Sequence, residues 1–410
     1  PRSATGRWSS TMTTRPTTPR TTANRPRPPA GSRPLRSAPP ERASPPAVET
    51  PKRLRIDPWA LLRYETVTHI RAPLIVALLA FALDACFTPH CLGAVRSLLS
   101  RTVFRSAEDD VVASRQGDAL VFAVVNVALH ALIWAGLGGG LYLCDRMQWL
   151  QEFKLPRKVP AGPHGGSPED VTLLRETVAE AVKGQLLVQP IALYFLYLYL
   201  PFQPLDKPTE SLWTAFRHLF LFRLSTEFCI YWSHRMMHEV PWLYRFHKQH
   251  HRYIASIGFA AEFTHGVDNL VLQLASTAYL LPNVRYFSFS LWLAASGWLF
   301  WETTELHAGY TFDRSWLYQW LGLTYSDRTE FHDFHHSANQ GNYGSAFLWD
   351  YVFGTMDPYL AYLKRHHRLI QAASPSPPVD RRDDDEAGGV ESNGYFFVRP
   401  RPSVRHGRSQ

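Results

Sequence analysis

Three clusters of histidine are the residues of this chain best suited to chemistry. SHRMMH at 233–238 contains an H-x-x-x-H pair, and the pattern H-x-x-H-H occurs at 247–251 and again at 332–336. If these segments are helical, side chains three and four positions apart lie on one face, so we predict that the imidazoles of each cluster point together. Bringing so many neutral imidazoles together is costly unless something binds their lone pairs.

A metal centre is the chemistry that fits this pattern. Imidazole nitrogens bind iron, zinc, copper and nickel, and eight of them exceed the four ligands of a structural zinc site. The sequence therefore predicts two metal ions, although the histidine pattern alone does not distinguish iron from zinc. The predicted ligands are His234, His238, His247, His250, His251, His332, His335 and His336.

Long apolar segments must position these clusters. Residues 119–144 contain no charged side chain and are long enough to span a bilayer. Residues 185–202 and 212–232 are further candidates, and 73–87 is a weaker one because it carries Asp84. Two shorter apolar stretches lie between the histidine clusters, and we interpret them as short spans, a re-entrant hairpin or a face lying on the membrane. They are residues 269–281 and 286–301.

The distribution of lysine and arginine predicts the orientation, because loops that stay in the cytosol are enriched in these residues. Residues 1–56 contain 12 of them, 90–118 four, 145–184 six and 203–211 one. With a cytosolic N-terminus, successive crossings bring all three histidine clusters to the cytosolic side. The sequence therefore predicts an all-α, integral membrane helical bundle with a cytosolic helical cap that holds a histidine-rich di-metal centre.

Polar ends enclose the apolar part of the chain. Residues 1–56 are rich in Ser, Thr, Pro and Arg and carry only two acidic side chains. We predict a disordered tail there, which could also be an organelle transit peptide, and a second disordered tail at 372–410. The region between them divides into 57–211, which is N-terminal and transmembrane, and 212–362, which is catalytic. The basic charge belongs to the first tail, so it does not indicate nucleic-acid binding.

The histidine clusters resemble the signature of the integral-membrane fatty acid hydroxylase superfamily, and the resemblance covers about residues 212–360. Three longer strings are similar to segments of its 4-methylsterol oxidases. They are HKQHHRYIASIGFAAEFTHGVD at 247–268, ETTELHAGYTF at 302–312 and NYGSAFLWDYVFGT at 342–355. The resemblance implies two further ligands, His265 and His307, which spacing alone would not single out.

Carboxylates near the ligands are candidates for accepting the second ring N–H of a metal-bound histidine. Glu227 precedes His234 by seven residues, so a helix would place both on one face. The other candidates are Glu262, Asp268 and Asp333, and each of the four could equally be a solvated or structural carboxylate.

The resemblance implies a non-haem di-iron monooxygenase that oxidises the 4-methyl group of a 4-methylsterol during sterol biosynthesis. Molecular oxygen is the oxidant, hydrogen is abstracted from an unactivated C–H bond, and no catalytic group separate from the metal ligands is needed. The chain has no glycine-rich dinucleotide fingerprint. Reducing power is therefore expected from partner proteins, and the resemblance implies electrons from NAD(P)H through a cytochrome of the b type and its reductase, at the endoplasmic reticulum membrane.

Alternative functions remain open from the sequence. The same centre could serve a sterol side-chain hydroxylase, a sterol desaturase or a fatty-acyl hydroxylase. A noncatalytic membrane metal-binding protein is an alternative of a different class. A transport pathway would need ionisable residues along several spans, whereas residues 119–144 offer only His130, which we interpret as structural or exposed.

Overall fold

The computed structural model describes residues 66–87, 115–155, 168–312 and 327–373, with a few positions between 90 and 98. This described part is helical and contains no strand; its extended pairing is an isolated bridge between Lys154 and Tyr310. The all-α prediction is confirmed. The predicted tail 1–56 and residues 374–410 of the second predicted tail lie outside the described residues.

The described part of the chain is built from α-helices with short π and 3₁₀ segments. The α-helices are α1 (Ala72–Ala82), α2 (Arg115–Ile133), α3 (Gly139–Arg146), α4 (Pro168–Lys183), α5 (Gln189–Tyr199), α6 (Leu212–Glu239), α7 (Pro241–His247), α8 (Gly266–Ser276), α9 (Leu280–Asn283), α10 (Phe289–His307), α11 (Asp327–Ala338), α12 (Phe347–Phe353) and α13 (Asp357–Ala373). Segments of π-helix flank α1 (Val67–Arg71, Leu83–Phe87), join α2 to α3 (Trp134–Gly138) and join α4 to α5 (Gly184–Val188). Short 3₁₀ turns lie at Gln151–Phe153, His250–Arg252, Gly258–Glu262 and Val284–Tyr286.

Three helices of the described part are long and apolar enough to cross a membrane. They are Thr68–Cys86, Arg115–Arg146 and Val171–Tyr199. Each contains or overlaps an apolar segment predicted to span. The predicted fourth span, 212–232, forms the first part of α6 but is not among the three, because Arg217, Arg223 and Glu227 interrupt its apolar run.

The apolar stretch 286–301, predicted as a short span, a re-entrant hairpin or a membrane-lying face, is largely buried against other helices. It forms most of α10, in which fourteen of nineteen residues are buried. This helix packs against α1, α2 and α11. A helix that is apolar all round belongs inside a protein as readily as inside a bilayer. Here α10 is the central helix of the fold, and its last residue is His307.

Serine residues define where the two longest helices near the histidines begin. The Ser211 hydroxyl accepts the N–H of Thr214 at the start of α6, and the Ser288 hydroxyl accepts the N–H of Leu291 at the start of α10. Such caps satisfy N–H groups that have no partner within the helix. The register of α6 and α10 is thereby set, and with it the positions of His234 and His307.

Candidate metal centre

Nine histidines converge in two groups whose nitrogen atoms could each hold a metal ion. Within each group the candidate ligand atoms all lie within 4.8 Å of one another. The first group is His234, His238, His247, His251 and His335; the second group is His250, His307, His332 and His336. All eight histidines of the three sequence clusters are included, together with His307.

The two H-x-x-H-H clusters each contribute to both groups. In the cluster at 247–251, His247 and His251 belong to the first group and His250 to the second. In the cluster at 332–336, the pair at i and i+4 enters the second group and His335 the first. The cluster at 332–336 lies within α11, where residues at i+3 and i+4 differ by one helical step of about 100°. The prediction that each triplet points together is therefore wrong, because the middle histidine of each triplet faces the other group.

Ring nitrogens of the first group form a chain of close approaches. The Nε2 atom of His247 lies 3.0 Å from that of His234 and 3.1 Å from that of His251. The Nε2 atoms of His251 and His335 are 3.1 Å apart. On the far side of the rings, Nδ1–H of His234 donates to Tyr343 O at 2.8 Å. The Nε2 atoms of these four histidines therefore lie next to one another.

The second group repeats the arrangement with fully buried rings. The Nε2 atom of His307 lies 3.1 Å from that of His250 and 2.9 Å from that of His332. The Nε2 atoms of His332 and His336 are 3.2 Å apart. Nδ1–H of His307 donates to Thr303 O within α10. A backbone carbonyl therefore fixes the tautomer of His307 and leaves its Nε2 lone pair free for a metal.

The donor atoms of both groups fit a bound metal. In His234 and His247 both Nδ1 atoms face oxygen acceptors, so the protons lie there and both Nε2 atoms present lone pairs. Lone pairs 3.0 Å apart repel unless a cation lies between them. Two nitrogens that each lie ~2.1 Å from one ion, at about 90°, are about 3 Å apart. The Nε2 atom of His238 is buried without a hydrogen-bond partner among the described residues, which a metal would also satisfy.

Burial keeps these imidazoles neutral. It lowers the pKa of His234 to about 4 and that of His251 to about 3, with neighbouring rings of the cluster contributing for His251. Burial also lowers the pKa of His307 to about 4, and the nearby Glu262 carboxylate acts in the opposite direction. Neutral imidazole is the form that binds metal. The centre is therefore ready to bind a cation across the physiological pH range.

Carbonyls of a short loop, residues 341–346, hold two rings of the first group. Gly341 O accepts Nδ1–H of His335 at 2.7 Å, and Tyr343 O holds His234. The loop is itself fixed by the buried Asp350 carboxylate, which accepts the N–H groups of Tyr343 and Gly344 at 2.9 and 2.7 Å. Gly341 has φ +66°, and a Cβ there would overlap a backbone oxygen. A side chain at this position would displace the carbonyl that orients His335.

His265 lies outside both groups. Its side chain is exposed, its Nδ1 accepts the N–H of Val267 at 3.1 Å as the cap of α8, and its ring packs on Phe246. Nine of the ten predicted ligands therefore come together and the tenth does not. The Nδ1 lone pair of His265 is thus used to cap the first turn of the helix that follows it.

One of the four predicted supporting carboxylates contacts a ring of the groups. Asp268 accepts Nδ1–H of His247 at 2.9 Å, and both side chains are fully buried. Asp268 follows His265 by three residues, so spacing in the sequence would pair it with that histidine instead. Burial raises the pKa of Asp268 to about 7. Asp333 is half-buried on α11 beside His332.

The other two predicted carboxylates have different partners. Glu227 forms the i, i+4 ion pair with Arg223 on α6. Arg223 also pairs with Glu302 of α10, and Glu302 pairs with Arg328 of α11. This ionic cluster (Arg223, Glu227, Glu302 and Arg328) is buried and joins three of the helices that carry histidines. Glu262, the last candidate, accepts Nε2–H of His130 at 2.8 Å.

A cavity of about 160 Å³ lies against both groups. Its wall includes two histidines of the first group and three of the second, namely His234, His247, His250, His307 and His332. Apolar side chains such as Leu272, Leu299 and Phe300 line it, and so do His130 and Glu262. An apolar cavity with a few convergent polar groups is typical of a small-molecule site.

Sequence reasoning missed the backbone carbonyls, the ionic cluster across three helices and the pairing of His130. Every residue has a carbonyl, so no sequence signal marks Tyr343 or Gly341 as a partner. The single histidine inside the apolar run 119–144 was a signal for His130, because a polar side chain in such a run needs a partner. It is buried, in agreement with the structural part of our interpretation.

Comparisons with known proteins agree with this centre. The family model for fatty acid hydroxylases matches residues 219–355. The chain is 30% identical over 258 residues to the C-4 methylsterol oxidase erg25 of Schizosaccharomyces pombe, covering 60% of this chain and 81% of that protein. It is 26% identical to methylsterol monooxygenase 1-3 of Arabidopsis thaliana, covering 64% of this chain and 84% of the relative.

A third relative is the very-long-chain aldehyde decarbonylase GL1-10 of Oryza sativa subsp. japonica, 31% identical over 47% of this chain and 60% of its own length. No solved structure matches the chain. The family match includes all nine clustered histidines, so sequence similarity and geometry identify the same region. The chain belongs to the fatty acid hydroxylase family of oxygen-dependent oxidoreductases.

Proposed function

We propose that this protein is a membrane-bound di-iron monooxygenase that oxidises the 4-methyl group of a 4-methylsterol. The observation that carries the proposal is that one cavity of the described part borders both histidine groups. A substrate in this cavity would contact histidines of both groups. The similarity to methylsterol oxidases over about four fifths of their length supports the choice of substrate.

The nine histidines of the two groups are the proposed iron ligands. All are nitrogen donors, and imidazole ligands without thiolate suit iron that reacts with oxygen. The role of His265 as a tenth ligand stays a prediction from the resemblance. Asp268 is the proposed supporting carboxylate, because it accepts the second ring N–H of His247.

When bound, iron supplies the redox chemistry by which one oxygen atom enters a C–H bond and the other leaves as water, with two electrons and two protons consumed. The chain's own residues hold the metal positions, orient the substrate and exclude bulk water. The second group is suited to water exclusion because all four of its rings are buried. No separate general base is needed, since hydrogen abstraction does not transfer a proton to a side chain.

Reducing power has to come from partner proteins under this proposal. A cytochrome of the b type and its reductase would carry electrons from NAD(P)H to a cytosolic face of the centre. The endoplasmic reticulum membrane is the proposed location, or an organelle if residues 1–56 act as a targeting segment. The three apolar helices support membrane insertion.

Oxidised lipid products test this proposal. Microsomes that contain the chain, a reductase and a cytochrome of the b type receive NADPH, isotopically labelled oxygen and a 4,4-dimethylsterol. We expect mass spectrometry to detect label at the 4-methyl carbon. The variant His250→Ala should abolish this product, whereas His90→Ala, which removes an exposed histidine outside both groups, should not.

Other products would redirect the proposal. Labelled oxygen on a sterol side chain or on an acyl chain would retain the metal centre and assign another substrate. A desaturated sterol, with the label only in water, would retain the metal centre and assign another reaction. An aldehyde-derived product would bring the protein nearer to the decarbonylase relative in activity. Iron bound without any oxidised lipid would favour a noncatalytic metal-binding protein.

A further inference from the structure

His130 is a polar side chain in the middle of an apolar helix, and it is held on three sides. Its Nδ1 lies 3.0 Å from Gln189 Oε1 on α5, and its Nε2–H donates to Glu262 at 2.8 Å. Its ring stacks on Phe300 of α10, with ring centroids 3.9 Å apart. Three separate elements thus meet at this ring, and the direction of the Glu262 carboxylate is fixed by them.

Glu262 keeps an unused acceptor on the cavity wall. Its Oε1 atom accepts from His130, and its Oε2 atom has no hydrogen-bond partner among the described residues. The side chain retains 22% of its exposure and lines the cavity that borders both histidine groups. A carboxylate oxygen in such a place accepts a hydrogen bond from a bound molecule at little cost, because its orientation is already set.

The second carboxylate in the cavity wall differs from Glu262 in this respect. Both carboxylate oxygens of Glu302 are engaged in ion pairs, Oε2 with Arg223 and Oε1 with Arg328. Two hydroxyl groups in the wall are also engaged: Thr226 donates to Ser276 O, and Thr304 donates to Phe300 O. Among these groups, Glu262 is the carboxylate acceptor available to a ligand.

We infer that Glu262 binds the hydroxyl group of the sterol substrate, and that His130 positions Glu262 for this contact. The inference rests on the proposed function. In a sterol the hydroxyl sits on the ring carbon next to the one that bears the 4-methyl groups. A group that binds this hydroxyl must therefore lie close to the metal positions. Glu262 meets that condition, because its carboxylate shares the cavity with His307 and acts electrostatically on that ring.

This contact explains how the cavity would select its substrate. A buried polar group left without its partner penalises molecules that lack the hydroxyl far more strongly than a missing methyl group would. The apolar wall can accept many lipids, whereas the Glu262 acceptor favours one with a donor next to the reacting carbon. Glu262 thus determines which end of the sterol ring system enters the cavity, and which ring carbon faces the histidines.

Equilibrium binding of two ligands to the purified, iron-loaded full chain tests the inference. The ligands are a radiolabelled 4,4-dimethylsterol and its methyl ether, which lacks the hydroxyl donor. We expect the wild-type chain to bind the alcohol about tenfold more tightly than the ether. In Glu262→Leu the preference should fall to about one, through weaker binding of the alcohol alone. Glu239→Leu serves as the matched control, because Glu239 is an exposed carboxylate paired with Arg235 outside the cavity.

Two further variants separate ligand contact from folding. Glu262→Gln retains an acceptor for His130 and should keep its iron content while the preference drops only in part. His130→Phe should lower the preference through Glu262, a change that a purely structural role would not produce at unchanged iron content. If the preference persists in Glu262→Leu, or if the wild type shows none, the hydroxyl site is wrong and the sterol function stands. If neither ligand binds the wild type, both proposals fail.

Discussion

The first and second histidine groups differ in the number of rings, in burial and in the groups that hold the rings. The first group has five rings, of which His238 and His251 are only half-buried, and a carboxylate supports His247. The second group has four rings, all buried; Thr303 O accepts Nδ1–H of His307, and Tyr253 O accepts Nδ1–H of His336. Three of its four rings border the cavity, compared with two of five in the first group.

This difference suggests a division of labour. More ligands and a supporting carboxylate favour firm metal binding in the first group. Fewer ligands, complete burial and contact with the cavity leave room for oxygen and substrate near the second group. A metal site that keeps an open position is the usual arrangement for catalysis, whereas a closed one serves structure. We therefore expect the two groups to respond differently to equivalent substitutions.

The largest effect should follow removal of a ligand from the smaller group. His332→Ala leaves three histidines there, so we expect bound iron to fall from about two to about one per chain and activity to fall by roughly a thousandfold or more. His251→Ala leaves four histidines in the first group and should retain more iron. Elemental analysis of the purified variants measures this. Equal iron loss from both variants would contradict the division of labour.

Loss of the buried ionic cluster should destabilise both groups together. Glu302→Gln removes the carboxylate shared by Arg223 and Arg328, and removing one partner of a buried ion pair costs about 3–5 kcal/mol. Thermal unfolding of the metal-free chain measures the loss. The exposed pair of Arg235 and Glu239 provides the control, since Glu239→Gln should cost about 1 kcal/mol or less. A selective loss of iron from one group would show that the cluster does not join them.

A smaller and selective effect is expected from the supporting carboxylate. Asp268→Ala removes the acceptor for His247 Nδ1–H and should weaken iron binding by about 10–100-fold in the first group alone. Chelator competition, followed as two phases of iron release, measures this, with the exposed Asp206→Asn as control. Weakening of both phases to the same extent would mean that Asp268 stabilises the fold and not one site.

The smallest expected effect per residue is the loss of folding stability of the metal-free chain in acid. The pKa of His234 is lowered to about 4, so below pH 6.5 the unfolded chain binds a proton that the folded chain does not. This contribution is complete above pH 6.5 and is lost as the pH falls toward 4, by at most about 1.4 kcal/mol per pH unit for each such ring. Asp268 has a raised pKa, so its contribution to folding stability increases as the pH falls. It is a single group, and several buried histidines have the opposite effect. Denaturant unfolding between pH 7.5 and pH 5 checks the sign; a flat profile would contradict burial of neutral rings.

The sequence by itself determined which residues carry the chemistry. Spacing of three and four residues is a local property of a helix, so the clusters at 233–238, 247–251 and 332–336 identified eight of the nine converging histidines before any tertiary contact was known. Apolar runs also identified the three membrane-compatible helices, because length and composition alone decide whether a helix can cross a bilayer. His307 required the family resemblance, since a lone histidine has no spacing to read.

Tertiary structure alone decided how these residues are divided and supported. The rotation of each helix against its neighbours determines which ring of an H-x-x-H-H cluster turns to the other group, and local spacing contains no information about that rotation. Carbonyl partners carry no sequence signal because every residue has one. The pairing of Asp268 with His247, of Glu262 with His130 and of Glu302 with two arginines depends on contacts between elements distant in the chain. Such pairings depend on the packing of the whole chain, which is why the same carboxylates could be named from the sequence but not assigned their partners.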